Sequence, residues 1–298
     1  MDTYAQAERL VQVETPLGKD AFVLEAFAGR EELSRLFHYR LDLLAVRDDI
    51  AADEIVGKNV SFLVRQSDGE SRYFNGFVQR FAGGDVEAGR LRRYTMDVVP
   101  WLWFLTRTSD CRIFQEMTAP DIIEQIFSDL GFSDYRLDLG GNHPSREYCV
   151  QYRETDFAFV SRLAEEEGIF YFFEHKQGKH TLVLSDQKTT HKFCPEREVQ
   201  YSRGSLDEDH LTYWEHRYEF RTGKWAQTDY NFKTPSTSLM SKTSTVVKLP
   251  KVDKFEHYEY PGIYGAKGDG DGLTKLRMEM DEAGYDTVSG AGSCRTFA

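Results

Sequence analysis

Residues 150–175 read VQYRETDFAFVSRLAEEEGIFYFFEH, and the signals inside them decide the fold class. An apolar row at Phe157, Val160, Leu163 and Ala164, spaced for one face of a helix and preceded by the capping residue Thr155, predicts a helix from about Thr155 to Glu167. Gly168 supplies the left-handed stop, because a residue without a Cβ enters that conformation at little cost. Immediately beyond it, GIFYFFEH (168–175) and HTLVLSDQ (180–187) read as a β-hairpin. Helix and strand therefore alternate within a short span, and the class is α+β.

Working outward, the rest of the chain is dominated by strands. From residue 10 to 63 short apolar and polar residues alternate in AFVLEAF, FHYRLDLLAV and NVSFLVR, with turn formers PLGKD and VRDD between them. SRYFNGFVQRFAGG (71–84) and RLRRYTMDVVPWLWFLTRT (90–108) then predict a hairpin closing a first sheet, with Tyr94, Met96 and Val98 on one face and Pro100 at its end. A helix follows: Thr118 caps it with Asp121 three residues on, Pro120 fits its first turn, and Ile122, Ile123, Ile126, Phe127 and Leu130 form a stripe before Gly131. Alternation returns between residues 199 and 247, in LTYWEHRYEF and KWAQTDYNF, with turn signals RTG and KTPS. The loop YPGIYGAKGDGD leads to a last helix, GLTKLRMEMDEAG, with Leu273, Leu276 and Met280 on its inner side. The order is thus β, helical insert, β, in four expected segments, 1–108, 109–175, 176–250 and 251–298.

Composition narrows the function. At 298 residues, 40% hydrophobic and 29% charged, the chain can bury more than one core and folds in water. No run of about 18 apolar residues exists, and the first residues lack the basic-then-apolar layout of a leader, so synthesis in a cytoplasm is expected, with export by some route other than a cleavable signal. A net charge of −12 without a concentrated basic face argues against nucleic acid as a partner. Cys111, Cys149, Cys194 and Cys294 form no CxxC pair, which argues against a disulfide framework or a thiolate metal cage.

Several groups of residues invite an enzymatic or metal reading. Glu154, Asp156, Glu165, Glu166 and Glu167 could supply the acid and base of a hydrolase, yet the first two flank a helix cap and the last three decorate what reads as a solvated last turn. His175, His180, His191 and Cys194 contain one half of a zinc motif and lack the second pair. GDGDG (268–272) starts like a calcium loop, but Leu273 and Met280 stand where oxygen ligands are needed, and the stretch reads as a flexible turn. Neither a G-x-S-x-G elbow nor a glycine-rich phosphate loop occurs. Trp101, Trp103, Phe104, Tyr171, Phe172 and Phe173 suit packing within a core or between subunits. The residues therefore assign no catalytic, cofactor-binding or metal-ligating position, and call for no cofactor.

GFV (76–78), VVPWLWFL (98–105), RIFQ (112–115) and above all residues 150–175 resemble the VgrG family of type VI secretion spike proteins. LVLSDQ (182–187), YPGIY (260–264), LRMEMDEA (276–283) and SGAGSCRTFA (289–298) extend that resemblance over essentially the whole chain. It implies a fold like the hub of contractile phage baseplates, two related β-barrel-like domains carrying α/β insertions. It also implies a homotrimer, whose six similar barrels would match the hexameric rings of the tube protein Hcp. Baseplate proteins and effector cargo would be further partners, the membrane would be met only by mechanical penetration, and the protein would leave the cell through the type VI apparatus. Family members continue into an OB-fold neck and a β-helix needle, neither of which the resemblance places in these residues. Two other readings stand beside it: the hub of a contractile phage tail or tailocin, and a hydrolytic effector using Glu154 and Glu165–Glu167.

Overall fold

A strand with apolar residues at every second position has one face that must be covered, and in the first hundred residues the sheet covers that face by curling. The computed structural model describes residues 5–66, 69–86, 91–192, 194, 198–204 and 209–295; Arg90 and residues 296–298 of the stretches quoted above lie outside them. Strands β1 (Val11–Glu14), β2 (Val23–Arg30), β3 (His38–Ala45), β4 (Asn59–Arg65), β5 (Ser71–Val86) and β6 (Arg92–Val99) form one antiparallel sheet in the order β1-β4-β5-β6-β3-β2, with a short helix α1 (Ala52–Ile55) between β3 and β4. The two ends of that order, β1 and β2, lie against each other, so the sheet is a nearly closed barrel. Phe22, Leu24, Phe37, Leu41, Phe62 and Met96 fill it, and the Phe62 and Phe74 rings stack at 4.9 Å. Gly76 of the GFV stretch is required here, since a Cβ would lie 2.7 Å from Val98 Cγ1 and 2.8 Å from the Val99 carbonyl oxygen.

The helical insert builds a second core beside the barrel. After the 3-10 turn Trp101–Arg107 come β7 (Ser109–Phe114), α2 (Ala119–Asp129), β8 (Tyr135–Asp138), β9 (Cys149–Thr155), α3 (Asp156–Glu166), β10 (Phe170–Lys176) and β11 (Lys179–Ser185). β7 pairs with β9, and β10-β11-β8 form a three-stranded sheet in which β8 joins parallel to β11. The cap of α2 is as expected: Thr118 Oγ1 accepts the Asp121 N–H at 3.2 Å, and Ile122, Ile123, Ile126 and Phe127 are fully buried, but Leu130, expected in the same stripe, is exposed at the helix end. α3 is capped by Thr155, but its buried row runs Asp156, Phe159, Val160, Leu163 and Ala164, and the expected inner residue Phe157 is only half-buried. A carboxylate occupying one inner position displaced the apolar pattern from the one the sequence suggested. Phe173 packs against both cores and joins them.

Residues 1–195 and 196–297 are separate compact units. The second contains two three-stranded sheets. One is β12 (Gln200–Tyr201), β13 (His210–Tyr218) and β17 (Asp286–Gly292), in the order β12-β13-β17. The other joins β14 (Lys224–Gln227), β15 (Ser241–Ser244) and β16 (Glu256–Glu259) in the order β15-β14-β16, and helix α4 (Lys267–Glu282) packs on β14 and β15. Two expectations are corrected in α4. GDGDG is its first turns and not a flexible turn, and the buried row is Gly270, Thr274 and Met278, with Leu273 and Leu276 half-buried and Met280 45% exposed. Small residues face the sheet because the approach is close. A Cβ on Gly270 would stand 2.3 Å from the Tyr264 ring, and Thr274 satisfies its hydroxyl within the helix by donating to the Gly270 carbonyl at 2.9 Å.

Candidate functional site

The carboxylates that could have served a hydrolase are held in an ion-pair network around the ends of α3. Asp156, 3% exposed, accepts hydrogen bonds from Arg112 Nη2 at 2.5 Å, Gln151 Nε2 at 2.7 Å and Thr108 Oγ1 at 2.8 Å. Glu154 takes Arg162 at 2.7 Å, and Glu166 takes Arg146 at 2.6 Å and Arg162 at 3.2 Å. Glu167 accepts Arg146 Nη2 at 2.5 Å and faces His143 Nδ1 at 3.0 Å, while His143 Nε2 lies 3.2 Å from Asp186. Glu165 is the exposed member of the group. Burial opposes the charge on Arg146, yet its hydrogen bonds to Glu167 and Glu166 outweigh that and raise its pKa. Burial likewise opposes ionisation of Asp186, and the Gly140 and Gly141 N–H groups with His143 outweigh it, holding the carboxyl below its usual value.

Glu154, Asp156, Glu166 and Glu167 each have a guanidinium beside them, so their oxygens are occupied by ion pairs. The sequence expectation of a solvated last turn is corrected by the same geometry: Glu166 and Glu167 are mostly covered, because the loop between β8 and β9 folds over the end of α3 and brings His143 and Arg146 onto them. The arrangement fastens that loop to α3 and to the end of β11.

The histidines divide between two tasks. His180, 2% exposed, accepts the Trp101 backbone N–H on Nε2 at 2.9 Å, which places its proton on Nδ1, where it donates to Asn75 Oδ1 at 2.8 Å. Asn75 in turn donates to Asn59 Oδ1, Ser61 Oγ and the Val60 carbonyl. His175 accepts the Asn75 backbone N–H on Nδ1 at 3.1 Å, leaving Nε2–H for Tyr39 Oη at 3.3 Å. Both rings are thereby fixed as neutral tautomers across the seam between the barrel and the β10–β11 hairpin, and burial pushes both pKa values down, that of His180 to about 3. His191 instead stacks on Phe170 at 5.0 Å. Among the described residues, no three His, Cys, Asp or Glu side chains are grouped to hold a metal ion.

The other unusual chemistry lies on the surface of the second unit. Among the described residues its largest buried apolar side chains are Leu239, Val252, Tyr264 and Met278. Tyr213, Trp214, Tyr218, Tyr230, Phe232 and Tyr260 are exposed, Phe232 at 76%. On β13 the exposed rings occupy both faces, Tyr213 on one and Trp214 and Tyr218 on the other. The aromatics singled out from the sequence are not these. Trp101 and Tyr171 are core, and Trp103, Phe104, Phe172 and Phe173 are half-buried. What could have revealed the surface set is the density of aromatics between residues 213 and 260 without a continuous apolar run to receive them.

The chain is strand-rich, with a nearly closed barrel and an α/β insert, and residues 30–298 match the phage tail baseplate hub (GPD) family, to which the chain belongs. The fold is shared with a tail protein from Neisseria meningitidis, at a TM-score of 0.67 and 13% identity, over 94% of this chain and 79% of that one. An Escherichia coli component of the type VI secretion system, described as structurally similar to the T4 tail proteins gp27 and gp5, superposes with a TM-score of 0.56 at 22% identity, over 72% of this chain and 55% of that one. Within the family the similarity is to VgrG: the type VI secretion system spike protein VgrG1b of Pseudomonas aeruginosa is 41% identical over 98% of this chain. The chain spans 40% of the length of that relative. Among the described residues, no helix is long and apolar enough to cross a membrane.

Proposed function

We propose that this chain is the hub portion of a type VI secretion spike, a structural part that associates as a homotrimer, seats on a hexameric Hcp tube and carries effector cargo outward with it. The observation that carries the reading is the aromatic surface of the second unit, on a chain 41% identical over nearly its whole length to a type VI spike protein. Exposed rings in this number mark surfaces that another protein covers. In this reading residues 1–108 correspond to the first barrel; the expected end of the insertion at 175 moves to the end of the first compact unit, because β11 packs into the insert core, and the related second barrel with its closing α+β segment would lie within residues 196–297. The protein would be made in the cytoplasm and exported by the apparatus itself. No catalytic role is assigned, since the carboxylate network is compensated by Arg112, Arg146 and Arg162.

Co-sedimentation with purified Hcp hexamers tests the docking step: the chain is expected in the Hcp fraction in substoichiometric amount, three copies per hexameric ring, and absence from that fraction contradicts it. The hub of a contractile phage tail is the second reading, favoured by the match to a tail protein over 94% of the chain. Binding to a phage tail tube but not to Hcp would select it.

A further inference from the structure

The tip of the β10–β11 hairpin is held on the barrel by two histidines that have no room for a second proton. His175 and His180 stand directly opposite each other across the hairpin, ring centroids 6.1 Å apart. The turn beyond them, residues 176–179, is exposed and reaches the barrel through Gly178 N–H, which donates to Ser61 Oγ at 2.9 Å, and Gln177 Nε2, which donates to Glu14 at 2.9 Å. A neutral imidazole has one acceptor nitrogen, and in both rings a backbone N–H of the barrel or its exit already occupies it: Trp101 N–H on His180 Nε2 at 2.9 Å and Asn75 N–H on His175 Nδ1 at 3.1 Å. An imidazolium has two donors and no acceptor. Protonating either ring therefore sets N–H against N–H, breaks the bond and leaves a covered donor unpaired.

The surroundings do not compensate. His180 is ringed by Phe37, Phe77 and Phe173 at 5.5, 6.0 and 5.9 Å, and burial together with the charge of His175 opposes its ionisation. His175, its side chain 8% exposed, is opposed first by burial and then by Arg72, while Glu31 favours its charge. The Glu31 carboxylate lies 3.8 Å from His175 Nε2, the nitrogen that already carries a proton and shares it with Tyr39 Oη, so it offers the new proton on Nδ1 no acceptor. On the hairpin itself Glu174 pairs with Arg136 and Lys192, and Lys179 with Asp134, both directed away from the two rings. Taking up both protons would also place two like charges opposite each other.

We propose that the hairpin tip is an acid-released latch: in mild acid His175 and His180 take up protons only by withdrawing from Trp101 and Asn75, and the tip leaves the barrel while the barrel and the insert keep their separate cores. Leu182, Leu184 and Tyr171 hold the base of the hairpin in the insert core, so the movement is confined to the end that bears the histidines. With the His180 value at about 3 when closed and about 6.5 when free, His180 alone raises the open fraction about 25-fold between pH 7 and pH 5.

Residue-resolved amide exchange by NMR tests this, because the N–H groups of Asn75, Trp101 and Gly178 end on atoms of the latch. After correction for the intrinsic pH dependence of exchange, their opening constants are expected to rise about 25-fold or more from pH 7 to pH 5, with the amides of Leu41 and Met96, inside the barrel sheet, at least ten times slower throughout. His175→Asn with His180→Gln keeps an oxygen acceptor for each backbone N–H and takes up no proton, and it should make the three opening constants flat with pH. Opening constants in the wild type that do not change with pH overturn the latch. So does exchange of the three amides no faster than that of Leu41 and Met96, which would mean that they open only by unfolding of the whole unit. An unchanged pH dependence in the double variant overturns it as well, and the wild-type readings decide the matter by themselves should that variant fail to fold.

Discussion

The two units use the same aromatic-rich vocabulary to opposite ends. In residues 1–195 the large side chains converge: Phe22, Phe37 and Phe62 inside the barrel, Trp101, Phe127 and Phe159 in the insert, each essentially inaccessible. In residues 196–297 rings of the same kind point outward, and burial falls to small and polar residues such as Ala226, Gln227, Ser241, Gly270 and Thr274. Alternation decides the first case, because a curled sheet has an inside. In the second unit β13 and β17 are long strands with side chains exposed on both faces, an arrangement that gains little by itself and gains much when another surface arrives. The difference teaches that the first unit encloses its large side chains while the second displays them, which is the surface the proposed assembly would cover.

The largest expected effect sharpens that contrast. Phe127→Ala, at a fully buried position, should cost about 3–5 kcal/mol of stability, whereas Phe232→Ala at an exposed one should stay within about 0.5 kcal/mol. Denaturant melts of the two variants check this, and a comparable loss in both would break the comparison. Acid comes next. His180 and His175 have folded pKa values below the unfolded value of about 6.5, so the folded state binds fewer protons and their contribution is fully present above pH 6.5. It is lost as pH falls toward about 3, the value for His180. Between pH 7.5 and 5 the His180 term alone should remove about 2 kcal/mol, at pH values where carboxylates have hardly begun to titrate. The midpoint of the first unit should fall accordingly, and His180→Asn should flatten the profile; an equally steep profile in that variant would assign the effect elsewhere.

Smallest is the effect at the tight contact of the second unit. Gly270→Ala gains about 1 kcal/mol of helix propensity and drives a methyl to within 2.3 Å of the Tyr264 ring, an overpacking worth about 1–3 kcal/mol. A net loss of about 1 kcal/mol in the second unit's melt is expected, and a net gain would show that α4 is free to move away from Tyr264.

Much of this was legible in the sequence where a local rule and the tertiary contact agree. The Thr118 and Thr155 caps, the α2 stripe apart from Leu130, the β10–β11 hairpin and the Gly168 stop follow from residues a few positions apart, and the structure keeps them. The parallel pairing of β8 with β11 was not legible, because Tyr135–Asp138 is four residues long and its partner lies more than forty residues away. The α3 and α4 faces were misread for one shared reason. A pattern that counts only apolar residues cannot see a buried Asp156 neutralised by Arg112, or a Gly270 buried because a ring needs its space. The carboxylate run looked solvated for the same cause, since Arg146 reaches Glu166 and Glu167 from twenty residues away. The family resemblance is strongest in residues 150–175, whereas the exposed aromatic surface lies in residues 213–263, where single exposed rings leave no periodic trace.

The central claim is that the second unit is completed by other copies of the chain. Static light scattering of the wild-type chain across a concentration series tests it most directly. The account predicts a mass rising to three times the 34.5 kDa of one chain and holding there; a mass that remains that of a single chain to the highest concentration reached would contradict it.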